Sequence, residues 1–348
     1  MVRLRRILAL VLCCLSVLAI GVTPTRAKMY TGISNAVWSP DGKQIAFTYS
    51  DIQMGSQTPT ISALYVMNVN GDKATKLVNS NVDSFAWSPD STQIAYGSTI
   101  SSGISVVTVK ELTVKQLSKL GRFPTWTADG KSIRYLDPHY NLFQMAADGS
   151  DAQSVVGIKA ALADVWSVAW SPDRNAVAFI SPESKGNTYT LHVIDDQGLH
   201  NLASGSSVGG PISWSPDGTQ VVATASCSKI TYALCKIDLN GGEMQLVGVG
   251  WLPQWSPDGM QIAYAKDSQL CLVSTADGSE RCLTEKQVNA QMTIHSWSPD
   301  SRYVLVSRAF MPSGNSGDYR MDYTTLIVDV NAGTVSRWLD NYMIGASK

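Results

Sequence analysis

The feature that most constrains this chain is a short segment that recurs seven times. Each copy places a tryptophan before a Ser-Pro-Asp-Gly-like turn, and successive tryptophans are 39 to 49 residues apart. A repeat of this length is typical of propeller blades, each of which contains four strands. The aligned tryptophans are Trp38, Trp87, Trp126, Trp170, Trp214, Trp255 and Trp297.

The pattern inside one copy predicts two hairpins in series. An apolar strand ends at the tryptophan, and in the turn proline presets φ, aspartate caps the backbone and glycine takes the left-handed position. A second strand with alternating residues follows, and Asn70-Gly71 is a strong signal for the later hairpin of the first copy. We therefore predict an all-β chain that folds as a seven-bladed β-propeller over residues 28–348. A six-bladed ring is the structural alternative.

The repeated Trp-Ser-Pro-Asp segments resemble the WD40-like repeats, often labelled by their Pro-Asp core, of the TolB propeller domain. The resemblance covers roughly residues 30–340 and includes all seven copies. It implies a propeller and leaves the activity open, because one fold hosts many functions.

The residue pattern of the amino-terminal segment, residues 1–27, is typical of an export signal. Arg3, Arg5 and Arg6 precede an uncharged run over residues 7–22, and a small residue, Ala27, follows at a tolerable cleavage position. The run is short for a spanning helix, which needs about 20 apolar residues. A cleaved signal peptide is favoured, and a retained anchor is the alternative; only in that case would the chain contact a membrane.

Four cysteines follow this segment, which is an even number and permits two disulfides in an exported chain. The close pairs Cys227–Cys235 and Cys271–Cys282 each bracket one predicted hairpin, which favours local pairing. Cys235 and Cys271 occupy equivalent repeat positions, so an inter-blade bridge stays open as an alternative.

Charge and ligand patterns exclude several classes of function. The net charge is −1, which provides no excess of cations for a nucleic-acid binder that relies on bulk basicity. The turn aspartates are spread one per blade and cannot converge on one ion. His295 lies two residues before Trp297 and could face the channel, but the other blades supply no ligands at this position, which favours a packed histidine. No metal or cofactor is expected.

Residues 205–209 match the Gly-x-Ser-x-Gly pattern of serine hydrolases. That pattern positions a nucleophile only between a strand and a helix. Here Gly210-Pro211 and another propeller strand follow, so we interpret the segment as a loop.

The positions four residues before each motif tryptophan vary in chemistry, whereas the core positions are monotonous. They begin the inner strands, near the mouth of the central channel, and such variety suits a recognition rim. Trp166 and Trp251 lie here outside the motif, and aromatic side chains commonly anchor partners. The series is Ser34, Asp83, Arg122, Trp166, Gly210, Trp251 and Thr293.

The links between the second and third strands are longest in blades one and seven, which become neighbours when the ring closes. They are expected to form one ridge beside the channel mouth. Its adaptable and aromatic side chains suit a partner and include Tyr319, Arg320 and Tyr323.

These patterns favour an exported, non-catalytic binding or scaffolding protein of the periplasm or cell surface, with a protein or another envelope component as its partner. The alternative is a propeller hydrolase or lyase that acts on a glycan or small substrate with channel-mouth residues. The expected binding residues are Asp83, Arg122, Trp166, Trp251, His295, Tyr319, Arg320 and Tyr323.

Overall fold

A computed structural model describes residues 28–54, 62–71, 73–98, 103–157, 165–183, 188–241, 243–310 and 322–340. In this part of the chain, 28 strands form seven four-stranded antiparallel sheets. The same residues contain no helix long and apolar enough to cross a membrane. The expected signal or anchor segment, residues 1–27, lies outside the described residues.

Each sheet is one blade, and its four strands lie side by side in chain order. Blade 1 contains β1 Lys28–Trp38, β2 Gln44–Met54, β3 Ser62–Asn68 and β4 Thr75–Val78, and blade 2 contains β5 Ser84–Trp87, β6 Gln93–Ser98, β7 Gly103–Thr108 and β8 Val114–Ser118. Blade 3 contains β9 Arg122–Trp126, β10 Ser132–Leu136, β11 Leu142–Ala146 and β12 Gln153–Val156. Blade 4 contains β13 Trp166–Trp170, β14 Val177–Pro182, β15 Tyr189–Asp195 and β16 Gly198–Gly205. Blade 5 contains β17 Gly209–Trp214, β18 Gln220–Cys227, β19 Ile230–Asp238 and β20 Gln245–Val249. Blade 6 contains β21 Trp251–Trp255, β22 Gln261–Lys266, β23 Gln269–Ser274 and β24 Glu280–Cys282. Blade 7 contains β25 Ala290–Trp297, β26 Tyr303–Phe310, β27 Asp322–Asp329 and β28 Val335–Asp340.

The core lies between the blades. Every pair of neighbouring blades encloses one cluster of buried apolar side chains, including the pair formed by blades 7 and 1. The sheets therefore form a closed ring, and the predicted seven-bladed propeller is confirmed. The first strand of each blade ends at its motif tryptophan.

The conserved spacing of serine and aspartate in the repeat is explained by one hydrogen-bonded turn. In blade 1, Ser39 Oγ donates to Asp41 Oδ1 at 2.6 Å and accepts the Gln44 N–H at 2.9 Å. Donation by Ser39 lowers the pKa of Asp41, because it stabilises the carboxylate. Gly42 completes the turn with a φ of 71°. The same serine or threonine to aspartate bond recurs at Asp90, Asp129, Asp173, Asp217, Asp258 and Asp300.

Four motif tryptophans connect neighbouring blades by a hydrogen bond from the indole nitrogen to an inner-strand carbonyl of the preceding blade. The donors and acceptors are Trp87 and Val37, Trp170 and Phe123, Trp214 and Ala169, and Trp297 and Gln254, at 2.9–3.2 Å. We call this contact the indole bridge. The indole nitrogens of Trp38 and Trp126 are instead buried without a hydrogen-bond partner among the described residues.

Within the described strands, the ring closes without a strand shared between the first and last blades. β1 pairs only with β2 within blade 1, from Lys28–Met54 to Trp38–Ile45. Side chains complete the seam instead. Ser296 Oγ donates to the carbonyl of Ala36 at 2.9 Å, and Trp338 Nε1 donates to the carbonyl of Asn68 at 3.3 Å.

Two disulfides lie within single blades. Cys227 is bonded to Cys235 in blade 5, and Cys271 is bonded to Cys282 in blade 6. These are the local pairs that the sequence favoured over an inter-blade bridge. Each bond links adjacent strands, and Cys271 faces Cys282 directly in the ladder between β23 and β24.

Candidate ligand-binding cleft

The variable positions before the motif tryptophans lie where the inner strands begin, on the side of the ring that we call the mouth face. Arg122 and Trp251 are the first residues of β9 and β21, and Asp83 directly precedes β5. All three side chains are exposed, as are those of Ser34 and Thr293. This set is therefore accessible to a ligand or partner.

Several expected binding residues cannot be placed in the same way. Trp166 begins β13 and Tyr323 pairs with Ala309 in β27, but their side chains lie outside what the structure describes. Tyr319 and Arg320 fall in residues 311–321, which also lie outside the described residues. The ridge between blades 1 and 7 remains a sequence-based expectation.

His295 is a packed residue, which corrects its inclusion among the expected binding residues. Its side chain is 8% exposed, and Nε2 is 2.7 Å from Ser307 Oγ. Burial lowers its pKa from 6.5 to about 4, because the charged imidazole would lose its hydration. The residue lies at a register shift between Ile294 and Ser296 in the pairing of β25 with β26.

Irregular pairing at the start of the inner strands shapes the mouth face. In blade 5 the ladder passes from Gly209–Thr224 to Ser213–Val222, so residues 210–212 lie outside the regular pairing. In blade 6 it passes from Trp251–Ala265 to Gln254–Ala263. β-bulges of this kind bend a strand and redirect its side chains.

The bulges require left-handed backbone. Gly210 has a φ of 72°, and a Cβ atom at this residue would meet Thr224 Oγ1 at 3.0 Å. Leu252 adopts a φ of 57° despite its side chain. Such conformations cost free energy and often occur at functional sites.

The two bulges border a cleft of about 660 Å³ on the mouth face between blades 4, 5 and 6. Trp251 stands at its rim with 52% of its side chain exposed. The other described residues of its walls are hydroxyl-bearing, apolar or glycine, and none of these described residues is acidic or basic. The lining consists of Tyr189, Ser206, Ser207, Val208, Gly209, Gly210, Pro211, Thr224, Trp251 and Leu252.

The Gly-x-Ser-x-Gly segment forms one wall of this cleft. Residues 206–208 connect β16 to β17, so a strand follows and the helix required for a nucleophile elbow does not. The side chain of Ser207 is hydrogen-bonded to Ser226. These contacts support the interpretation of the segment as a loop, and they give it a place in a binding cleft that the sequence did not indicate.

A Ser-His-Asn arrangement in blade 4 was also not apparent from the sequence. His192 Nε2 is 2.8 Å from Ser181 Oγ, and His192 Nδ1 is 2.8 Å from Asn201 Oδ1. This connectivity matches that of a nucleophile, a base and an orienting group. Ser181 is only 3% exposed, however, and His192 stacks on Phe179, so the group links three strands in a position closed to substrate. Burial lowers the pKa of His192, which favours the neutral ring.

Metal ligation has no support in the described residues, where no three His, Cys, Asp or Glu side chains are close enough together to hold an ion. The structure thus defines a seven-bladed β-propeller with a cleft on its mouth face whose described lining is uncharged.

Comparison with solved structures agrees with this class of protein. The β-propeller domain of the Trilobed protease from Pyrococcus furiosus, described as having an open velcro topology, is 11% identical, with a TM-score of 0.59 over 92% of this chain and 99% of that chain. Kuenenia stuttgartiensis hydrazine synthase is 12% identical, with a TM-score of 0.51 over 94% and 99%. At these identities the likeness shows the fold alone.

TolB-type proteins are also among the structural neighbours. TolB from Acinetobacter baumannii is 17% identical, with a TM-score of 0.46 over 72% of this chain and 78% of that chain. No protein-family model matches the sequence, and no curated protein matches it.

Proposed function

We propose that the protein is an exported, non-catalytic β-propeller that binds a ligand or partner in the mouth-face cleft. The observation that carries the proposal is the half-exposed Trp251 beside a cavity of about 660 Å³ whose described lining carries hydroxyl groups and no charge. This volume falls within the range of about 300–1,000 Å³ that is usual for ligand sites.

The chemistry of the cleft supports binding rather than catalysis. Its described lining contains serine and threonine hydroxyls, and within that described set there is no histidine, carboxylate or lysine to act as a general base. The buried Ser181 and His192 lie in another part of blade 4 and are not among the lining residues. The described residues of the cleft can therefore hold and orient a ligand, but none of them is suited to move protons near neutral pH.

Trp251 is the residue from which most of the binding free energy is expected. Exposed tryptophans in concave sites offer a large apolar face together with an N–H donor, and they frequently dominate binding. The bulge in blade 6 starts at Trp251 and fixes the backbone that carries it. A preorganised side chain loses less conformational entropy on binding.

Export is supported by the amino-terminal segment and by the two disulfides, since disulfides persist mainly in oxidising compartments. The chain has six cysteines, of which Cys13 and Cys14 lie in residues 1–27. Counting free thiols in the recovered protein therefore separates the possible fates of the segment.

The full chain is produced in a bacterial host, fractionated and labelled under denaturing conditions with a mass-shifting maleimide. A cleaved and exported protein with both bridges carries no reactive thiol, and an exported protein with a retained anchor carries two. A cytoplasmic protein with six reactive thiols would contradict export.

Binding is tested by passing a solubilised bacterial envelope extract over the immobilised full chain and over Trp251→Ala. We expect the variant to retain at least tenfold less bound material, which corresponds to about 1.4 kcal/mol. Val288→Ala is the matched control, since Val288 is 85% exposed in the loop that leads to β25 on the same face. Equal retention by the wild type and Trp251→Ala would contradict the proposed site.

A further inference from the structure

We propose that the mouth-face cleft recognises a neutral saccharide, namely a short oligosaccharide without carboxylate, sulfate or phosphate groups. The inference rests on the proposed function, because it specifies the ligand of the same cleft. It follows from three properties of the described lining: it carries no charge, its hydroxyls can both donate and accept hydrogen bonds, and its rim is aromatic.

The lack of charge selects against ionic ligands. Among the residues that the structure describes, none of the ten that line the cleft is acidic, basic or histidine. A carboxylate or phosphate that entered would give up hydration without meeting an opposite charge among these described residues, which is unfavourable. A neutral ligand avoids this penalty.

The polar groups of the cleft can each donate and accept a hydrogen bond. Ser206, Ser207 and Thr224 contribute hydroxyls, and a hydroxyl offers one donor together with acceptor lone pairs. The hydrogen bond between Ser207 and the exposed Ser226 fixes the orientation of one of these groups. The groups that best match such a surface are other hydroxyls, which have the same dual character.

The rim adds a flat apolar surface. The indole of Trp251 is half exposed, and Leu252 and Pro211 lie in the same lining. The ligand should therefore combine an apolar face with a polar edge. A pyranose ring has this form, since its C–H bonds face one side and its hydroxyls project around the edge.

The shape of the site favours a small ligand over a folded protein. The site is a concave cavity between three blades, whereas protein interfaces of standard size cover about 800 Å² per partner over a broad surface. The bulge at Gly210 maintains this concavity, because a side chain there would press on Thr224.

The test measures binding of three trisaccharides to the full chain by isothermal titration calorimetry. Maltotriose and chitotriose are the neutral probes, and trigalacturonate is the anionic comparison. We expect saturable binding of at least one neutral probe and at least tenfold weaker binding of trigalacturonate. Binding of trigalacturonate that is as tight as, or tighter than, that of the neutral probes would overturn the inference.

Variants then connect the binding to the cleft. Trp251→Ala should weaken the neutral complex at least tenfold, Trp251→Phe by less, and Thr224→Val by about threefold, whereas Val288→Ala should leave it unchanged. Circular dichroism verifies that each variant is folded. Neutral binding that survives Trp251→Ala would overturn the assignment to this cleft.

The envelope-extract experiment separates this inference from the proposed function. The extract is divided into an intact portion and a portion freed of protein by protease. Trp251-dependent capture of glycan from the protease-treated portion supports both. Trp251-dependent capture confined to the intact portion, with neither neutral probe bound up to about 10 mM, overturns the saccharide inference and leaves the scaffold proposal standing. Loss of all Trp251-dependent capture overturns both.

Discussion

The motif tryptophans differ in one hydrogen bond while sharing the same position in the repeat, and this makes the indole bridge measurable. Trp214 Nε1 donates to the carbonyl of Ala169 in the preceding blade at 2.9 Å, and Trp297 Nε1 donates to that of Gln254 at 3.0 Å. The indole nitrogens of Trp38 and Trp126 are buried without a partner among the described residues. Replacement by phenylalanine removes the indole N–H donor at all four positions, and it removes a similar area of apolar surface at each of them.

The expected difference follows from the two kinds of site. At Trp214 and Trp297 the variant loses a hydrogen bond with a net contribution of about 0.5–1.5 kcal/mol. At Trp38 and Trp126 it removes an unsatisfied buried donor, which relieves about 1–3 kcal/mol. Because the loss of packing is common to all four, the bridged variants should be less stable than the unbridged ones by roughly 1.5–4.5 kcal/mol.

The free energy of unfolding is measured by urea titration followed by far-UV circular dichroism, which does not depend on the tryptophan that is removed. Two bridged and two unbridged positions guard against a peculiarity of one site, such as the stacking of Trp38 on Tyr303 at 6.3 Å. If all four variants lost the same stability within about 0.5 kcal/mol, or the unbridged variants lost more, the indole bridge would have no role in holding the blades together.

Three further changes test other contacts of the fold. Because burial lowers the pKa of His295 from 6.5 to about 4, the unfolded chain binds more protons between these values, and the free energy of unfolding should fall as the pH falls from about 6.5 to 4, by up to about 3 kcal/mol. His295→Gln should flatten this part of the stability profile, and an unchanged slope in urea titrations across that range would contradict the assignment. Ser215 Oγ donates to Asp217 Oδ1 at 2.5 Å, so Ser215→Ala should lower the free energy of unfolding by about 1–3 kcal/mol and raise the pKa of Asp217. The pKa is followed by NMR titration, and an unchanged value would refute the turn network. Joint replacement of Cys227 and Cys235 by alanine should cost about 2.5 kcal/mol, since the bridge closes a loop of separation 8, and equal stability of this variant and the oxidised wild type would exclude a stabilising role.

The fold was predictable because each repeat contains both the residues that form a turn within a blade and the residue that packs between neighbouring blades. The serine and aspartate of each turn bond to one another, and the tryptophan fills the space between two sheets, so both must recur wherever a blade recurs. The closure of the ring was not predictable. The seam depends on Ser296, Trp338 and the carbonyls they meet, about 260 and 270 residues away in the chain, and spacing alone does not reveal such pairs.

The candidate site was predictable only where it departs from the repeat. Trp251 drew attention because it is an aromatic residue outside the motif, and the structure gives it an exposed position at the rim of the cleft. Tyr189 and Thr224 occupy ordinary strand positions in blades 4 and 5, and only the packing of three blades brings them to the same cavity. The contact between Ser181 and His192 likewise depends on the register of adjacent strands, which the sequence pattern does not specify.

The relation between repeat and site has a physical basis that extends beyond this cleft. The turn and the motif tryptophan are packed between blades, and a change there breaks hydrogen bonds and core contacts. At Trp251 and Gly210, the residue four positions before the motif tryptophan lies where the ladder becomes irregular, outside the clusters of buried side chains between the blades. Such positions can vary without unfolding the ring, so differences in ligand preference between propellers of this type should be concentrated there. By this argument, substitutions at Trp251 alter what the protein binds while leaving its free energy of unfolding nearly unchanged, whereas substitutions at Trp255, four residues later and only 9% exposed, do the reverse.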